Sequence, residues 1–426
     1  MKQEIPPPPD VPPTITPRGK AMVIMLLLLI FGVPLFLFLR QGRMRNRPSV
    51  KLEKSIQKAG LDALRSQDPA FDEKAFADRT RAVVNRVNEA WLLGHMGQAR
   101  RVISDGVYVR FSTQLRLLAA DKLRNAMADF SLLSVELASA ESDPQWDTVH
   151  VKIVAQARDQ DLPLSLSKEE GERLLRAAPL SQYQEIWSFV RRRGQHSKQG
   201  IPALQGRCPS CGAELPLSEV VRCDYCKALI NSGEHDWVLA EITQPEEWRA
   251  SATLAAVEGL EQLRERDQSV SRQELEDRAS VLFWKWIEAV GTDKLDKLAR
   301  FCVASPVDNR QQLGLTPQQL RQVAVGSAEL ERIESTAEQD QAHLEIRWSA
   351  SVGKSEPVGH IMHLTLARSS VVRSQRGLSS LDCPVCGGPL AASDDPSCGY
   401  CGTALGGGKH EWSLLAVRPD AQTSKT

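Results

Sequence analysis

The sequence predicts an α+β protein: an N-terminal transmembrane helix, then two tandem domains, each with a four-cysteine ribbon inserted in its last β-hairpin. Three observations carry this. An uncharged run of nineteen residues, Ala21–Leu39, lies near the N-terminus. Helical periodicity gives way to alternating apolar residues twice along the rest of the chain, the order of an α+β domain with helices on one sheet face. And CPSCGAELPLSEVVRCDYC at 208–226 returns with the same spacing as CPVCGGPLAASDDPSCGYC at 383–401.

A length of 426 residues suits two or three domains, and 53 basic residues against 53 acidic ones leave no global field that would draw the chain to nucleic acid. Seven prolines among the first seventeen residues favour extended, disordered chain over 1–20. Residues 21–39 then span about 28 Å as a helix, enough for a hydrocarbon core. A cleaved signal peptide is the competing reading, disfavoured by the length of the run and the lack of a small-residue cleavage site. Arg40, Arg43, Arg45, Arg47, Lys51 and Lys54 crowd its C-terminal flank. The positive-inside rule therefore places the N-terminus outside and the bulk of the chain in the cytoplasm, as a single-pass protein of the inner (plasma) membrane. The same arginines suit anionic lipid headgroups, or serve as a topology signal alone.

The basic juxtamembrane segment, 40–67, places Leu52, Ile56, Ala59 and Ala63 on one helical face, as an interfacial or a linker helix. The first domain, 68–249, opens on DPAFDEKAF, where Asp68 is a candidate cap and Pro69 suits the first helical position. Phe76, Thr80, Val83, Val87 and Trp91 continue a buried stripe. A second helix is expected from about 97 to 118 and a third, shorter one from 121 to about 130. Alternation begins near Ser134; Val149, Val151 and Ile153 share a strand face, and YQEIWSFVRRR and DWVLAEI supply the last strands. The ribbon occupies 205–235. A helical linker, 250–268, carries Val257, Leu260 and Leu263 into a second domain, 269–418, with its ribbon at 380–410 and a short tail, 419–426.

Duplication explains the repeated order. Residues 134–153 and 327–346 align without gaps at eight identities, His150 with His343 among them, and 208–237 aligns with 383–412 at twelve. About eighteen residues are missing from the second copy between these blocks. Upstream, Trp91 roughly matches Trp286, and Ser271 with Glu274 forms a capping box.

Eight of the nine cysteines have metal-type spacing, which suits a reducing compartment better than a disulfide scaffold. Cys208, Cys211, Cys223 and Cys226 form one candidate set, and Cys383, Cys386, Cys398 and Cys401 the other. Two facing Cys-x-x-Cys turns place four thiolates tetrahedrally, so each set is expected to hold one structural zinc ion. Iron or dithiol redox chemistry is the alternative. His235 and His410, nine residues after each last cysteine, are spare-ligand candidates better read as conformational, and Cys302 reads as a buried apolar residue. If the flanking strands pair antiparallel, each ribbon replaces a hairpin turn and projects from the sheet end.

DPAFDEKAF, VNEAW, SDGVYVRF, EIWSFVR and WVLAEI together resemble the C-terminal domain of the mitochondrial import-motor scaffold and its bacterial Tim44-like relatives. The resemblance covers Asp68 to Trp248 apart from the ribbon. It implies cone-like, nuclear-transport-factor-two-like α+β domains and a role as a membrane-associated scaffold, with translocation or membrane-complex assembly as settings. No P-loop, dinucleotide fingerprint, nucleophile elbow or His-Glu-x-x-His is present, and His150 and His343, out of phase with their apolar neighbours, should face away from the covered side of the sheet. The expectation is a non-enzymatic adaptor that binds cytoplasmic proteins. The alternative is ribosome or nucleic-acid binding through the ribbons, with Arg191, Arg192, Arg193 and Lys198 as the local basic cluster.

Overall fold

Two four-stranded antiparallel sheets, each in chain order, carry the fold: β1-β2-β3-β4 and β5-β6-β7-β8. The first comprises β1 (Leu123–Ser142), β2 (Trp146–Pro163), β3 (Leu180–Arg192) and β4 (Val238–Thr243). The second comprises β5 (Leu320–Ser335), β6 (Gln339–Val352), β7 (Val358–Ser369) and β8 (Ser413–Pro419). The helices are α1 (59–67), α2 (Glu73–Leu92), α3 (Asp105–Ala120), α4 (Lys168–Ala177), α5 (Leu260–Arg266) and α6 (Arg272–Thr292). This computed structural model describes residues 59–419 except 199, 217–219, 246–247, 249–255, 305–319, 353–356, 375–376 and 391–393. The chain divides into Met1–Ile56 and Gln57–Thr426. The expected span Ala21–Leu39 and its flanking arginines lie outside the described residues, among which no helix is long and apolar enough to cross a membrane.

The two sheets share their irregularities. β1 slips against β2 at Ala128/Ser131, Leu132/Ser134 and Leu137/Ser139; β5 slips against β6 at the corresponding Arg321/Ala324, Val325/Ser327 and Leu330/Arg332. Bulges re-aim strands and have no reason to coincide unless the strands descend from one template. The missing stretch of the second copy is also located: the β2–β3 connection holds α4, whereas the β6–β7 connection runs only from 353 to 357.

Four expectations need correction. Asp72, not Asp68, caps α2, its Oδ1 accepting from Ala75 N at 2.7 Å. Ser271 caps α6 in the same way, from Glu274 N at 3.1 Å, so Trp286 corresponds to Val87 rather than Trp91, one helical turn away. The helix expected over 121–130 is the start of β1: Lys122 adopts a left-handed φ of 58° that ends α3, and Leu123 pairs with Pro163. Of the helical face expected for the juxtamembrane segment, Leu52 and Ile56 lie outside the described residues and Ala59 and Ala63 are exposed; in α1 the packed residues are Leu61 and Leu64, both in the first core. As for the histidines, His150 does leave the α2 side of its sheet, but the opposite face is covered too. It is buried against Ser188 Oγ at 2.8 Å, Glu141 Oε1 at 2.7 Å and the Trp248 ring.

Each copy contains the same buried polar network. Arg191 of β3 pairs with Asp68 at 3.0 Å and Asp147 at 3.6 Å and lies 4.2 Å over the Trp237 ring. Arg368 of β7 pairs with Asp267 at 2.7 Å and Asp340 at 3.4 Å and lies 4.4 Å over Trp412. Ser197 N donates to Asp68 and Ser374 N to Asp267, at 2.8 and 2.9 Å. A second arginine on each long helix completes the set: Arg79 pairs with Asp236 at 2.8 Å and Arg278 with Glu411 at 3.0 Å. Burial alone would raise the Asp68 carboxyl, but the Ser197 hydrogen bonds and Arg191 outweigh it and hold the group below the usual carboxylate range.

The copies pack on one another through α3 and α6. Arg116 forks onto Glu288 at 2.7 and 2.8 Å, and Gln114 donates to Val323 O at 2.8 Å. Asp277 of α6 accepts from Gly106 N at the start of α3, 3.0 Å away; a Cβ on Gly106 would sit 2.6 Å from that carboxylate oxygen. Leu378, from the second copy, fills an apolar cluster made by Trp146, Val190 and Val238 of the first.

Two measurements follow from these contacts. Arg191→Ala strands Asp68 and Asp147 in the interior and is expected to cost about 3–5 kcal/mol in chemical denaturation, whereas Arg176→Ala, on an exposed Glu172 pair, should cost under about 0.5 kcal/mol. At the junction, burial raises Glu276 to about 8, and Glu241 and Asp277 to about 7. These carboxyls keep protons in the folded state that the unfolded chain releases near its ordinary values. Stability should therefore fall as pH rises between about 5 and 8, and a Glu276→Gln/Asp277→Asn chain should show a shallower slope over that window. A slope unchanged by the substitutions would refute the assignment.

Candidate metal centres

Both four-cysteine sets come together. In the first, Cys208 and Cys226 Sγ are 3.7 Å apart and Cys211 and Cys223 Sγ 3.8 Å; in the second, Cys383 and Cys401 are 3.8 Å apart and Cys386 and Cys398 3.7 Å. Within each set all four sulfurs lie within 4.8 Å of one another. Bonds of about 2.3 Å to a central tetrahedral ion require sulfurs about 3.8 Å apart. The cysteines are free thiols at separations a tetrahedral metal fits and a disulfide does not.

Each Cys-x-x-Cys turn is built from the same parts. The amide following the second cysteine donates to the carbonyl of the first: Gly212 to Cys208 at 2.9 Å, Lys227 to Cys223 at 2.9 Å, Gly387 to Cys383 at 2.8 Å and Gly402 to Cys398 at 2.8 Å. Those four residues have left-handed φ values of 75°, 60°, 70° and 72°. Three are glycine, as the conformation favours; Lys227 is not. The first cysteine of each pair is buried and the second exposed. Cys226 is drawn down to about 6 by the Ala228 amide, Cys401 to about 6 by Thr403, and Cys398 downward by the Cys401 and Tyr400 amides, so each centre has sulfur that leans toward the thiolate that metals require.

The ribbons do lie between paired last strands, β3 with β4 and β7 with β8. They do not project from the sheet ends. Cys208, Leu215, Cys223 and Ile230 belong to the first core, and within the second ribbon Gly407 N donates to Cys302 O at 2.8 Å and Asp394 pairs with Lys285 of α6 at 2.7 Å. The Cys302 thiol is 1% exposed and burial pushes it up to about 12, an inert apolar group. His235 and His410 are not among the clustered ligand atoms.

The basic cluster beside the first ribbon is engaged internally. Arg191 lies in the buried network, Arg192 approaches Glu234 at 3.7 Å, Arg193 donates to Gln67 at 2.8 Å, and Lys198 donates to the carbonyls of Pro209 and His235. Sequence reading missed a different surface: Tyr225 and Tyr400, at the same place in the second turn of each ribbon, are 74% and 69% exposed. Their shared position within C-x-Y-C was the available signal.

Lys227→Gly should relieve the left-handed strain, stabilising the folded first ribbon by about 1 kcal/mol and tightening its metal affinity roughly fivefold in a chelator competition. Gly402→Val should do the reverse at the second.

Residues 57–199 match the family model for the Tim44-like domain. No curated protein matches the chain. Among solved structures, an "Ntf2 like protein involved in plasmid conjugation" aligns at 9% identity over 75% of this chain and 91% of its own, with a TM-score of 0.15, too low to carry an argument. The family match thus falls on the segment that carries α1 to β3 and Arg191, ahead of the first ribbon: residues 57–199 are similar to the Tim44-like domain.

Proposed function

We propose that the chain is a non-catalytic scaffold, anchored in the inner membrane by Ala21–Leu39, whose two zinc ribbons and Tim44-like surfaces bind cytoplasmic proteins. The observation that carries this reading is the pair of closed four-sulfur centres. Four cysteines fill a tetrahedral shell, leaving no position for substrate, so the ions hold shape rather than perform chemistry. Zinc is the favoured ion because the ligands are all thiolate and the geometry tetrahedral. Each ion would supply on the order of 10 kcal/mol of folding free energy to its ribbon. The Tim44-like domain supports a scaffold or adaptor role, and Arg40, Arg43, Arg45 and Arg47 supply a local match for anionic headgroups.

A second reading, ribosome or nucleic-acid binding, draws on the exposed Tyr225 and Tyr400 as base-stacking surfaces. Against it stands the internal use of Arg191 to Lys198, which removes the nearest phosphate ligands.

Crosslinking in native membranes followed by affinity capture, with elemental analysis of the purified chain, tests both. The scaffold reading expects two zinc ions per chain and a reproducible protein set that survives nuclease treatment. Capture of RNA or ribosomes, lost on raising the salt, would favour the second reading instead. Recovery from the soluble fraction alone would remove the anchor.

A further inference from the structure

We propose that the two four-cysteine centres load metal as a coupled pair, with Arg222 as the positioning residue that links them. The inference rests on the reading of both sets as metal centres. Arg222 immediately precedes Cys223 of the first ribbon, and its NH1 donates to Lys227 O at 2.9 Å, within the Cys223–Cys226 turn. The other end of the guanidinium leaves its own ribbon. NH2 is 3.5 Å from Asp382 Oδ2, the residue before Cys383 of the second ribbon. The guanidinium also lies against Gly387, the residue after Cys386: a Cβ built there would stand 3.2 Å from Arg222 NH2 and 3.3 Å from Cζ. One planar group thus touches both flanks of the Cys383–Cys386 turn, and only when its own turn is formed is it aimed there.

A second tie runs through Asp105 at the start of α3. Its Oδ1 accepts from Asn231 Nδ2 at 3.1 Å, in the first ribbon next to the point where Ile230 N bonds back to Val221 O. Its Oδ2 accepts from Ser380 N and Leu381 N, both at 2.9 Å, and Leu381 O in turn closes the second ribbon by accepting from Leu390 N. The bases of both ribbons hang on one carboxylate.

Coupling follows from what metal does to such modules. A four-cysteine ribbon orders its turns as it binds the ion, so binding free energy and local folding free energy are one quantity. Ordering the first ribbon presents Arg222 in place; ordering the second presents Gly387 and Asp382 to receive it. Each event makes the other more favourable, and linkage requires the effect to be equal in both directions. Because the Arg222 side chain is 34% exposed and Asp382 only 4%, the contact is partly screened, and the expected coupling is about five- to tenfold, at the lower end of the usual range.

The test uses the full-length chain in detergent, stripped of metal and titrated with zinc against a competing chelator. Cys383→Ser/Cys386→Ser, which disables the second centre, should weaken zinc at the first about five- to tenfold. Cys208→Ser/Cys211→Ser should weaken the second by the same factor. In an Arg222→Gln background both penalties should shrink to under about twofold, and Asp382→Asn repeats the test from the other side should Arg222→Gln fail to fold. Affinity at one centre that ignores the state of the other overturns the proposal. Coupling that survives both Arg222→Gln and Asp382→Asn overturns the role of Arg222. A wild-type chain that takes up no zinc sinks the metal reading itself, a result distinguishable from two independent sites.

Discussion

The buried arginine of each sheet is the interaction on which the rest depends. Arg191 holds Asp68 from the segment before α2 and Asp147 from β2, while its face covers Trp237, where the chain returns from the ribbon. Ser197, on the way out to the ribbon, closes on the same Asp68. Both ends of the ribbon insertion are therefore fixed by one charge cluster, and Arg79 adds a second hold on the returning strand through Asp236 and Trp237 O. Such a cluster is expensive to desolvate and contributes little net stability over an apolar core. It contributes geometry: only one arrangement satisfies every member, and Arg368 imposes that arrangement again in the second copy.

Legibility from the sequence followed the kind of force involved. Local patterns were readable: Val149, Val151 and Ile153 alternate because one sheet face is buried, and the Cys-x-x-Cys spacing declares its chemistry without any neighbour. The placement of both ribbons between paired final strands was also legible. Asp68 misled because Asp-Pro is a genuine helix-start signal; its carboxylate is recruited instead by Arg191, more than a hundred residues away, and no local rule registers that. Residues 123–130 have acceptable helix formers, yet Lys122 turns the chain left-handed and β2 supplies a ladder. α4 was overlooked although Ser167 and Glu170 form a complete capping box, a signal that was there to be read. Arg191 was counted with its exposed neighbours because charge in a loop sequence carries no mark of burial.

Divergence of the two copies is concentrated where they meet. The core registers and bulges agree, but α3 of the first copy packs on α6 of the second, so the long helices face different partners: α6 buries Trp284, Phe283 and Leu282 where α2 has the smaller Asn85, Val84 and Val83 at matching positions. At this junction backbone amides serve several carboxylates, beside the ion pairs Arg116–Glu288 and Arg321–Asp121. Asp277 meets Gly106 N, Glu241 meets Ala328 N at 3.4 Å, and Asp105 meets Ser380 and Leu381. Amide donors fix position without the length and freedom of a lysine or arginine, and burial leaves Asp277 and Glu241 reluctant to ionise.

Leu378 shows what this joining means for a chain emerging from the ribosome. The side chain that seals Trp146, Val190 and Val238 is translated roughly 140 residues after Val238; at about 5–20 residues per second the first sheet waits about 7–28 s for it. During that interval Trp146, fully buried in the finished protein, has Val190, Val238 and the Arg192 guanidinium of its own copy around it but lacks the side chain of Leu378. The first domain is thus born incomplete, and the second copy acts in cis as its last folding component.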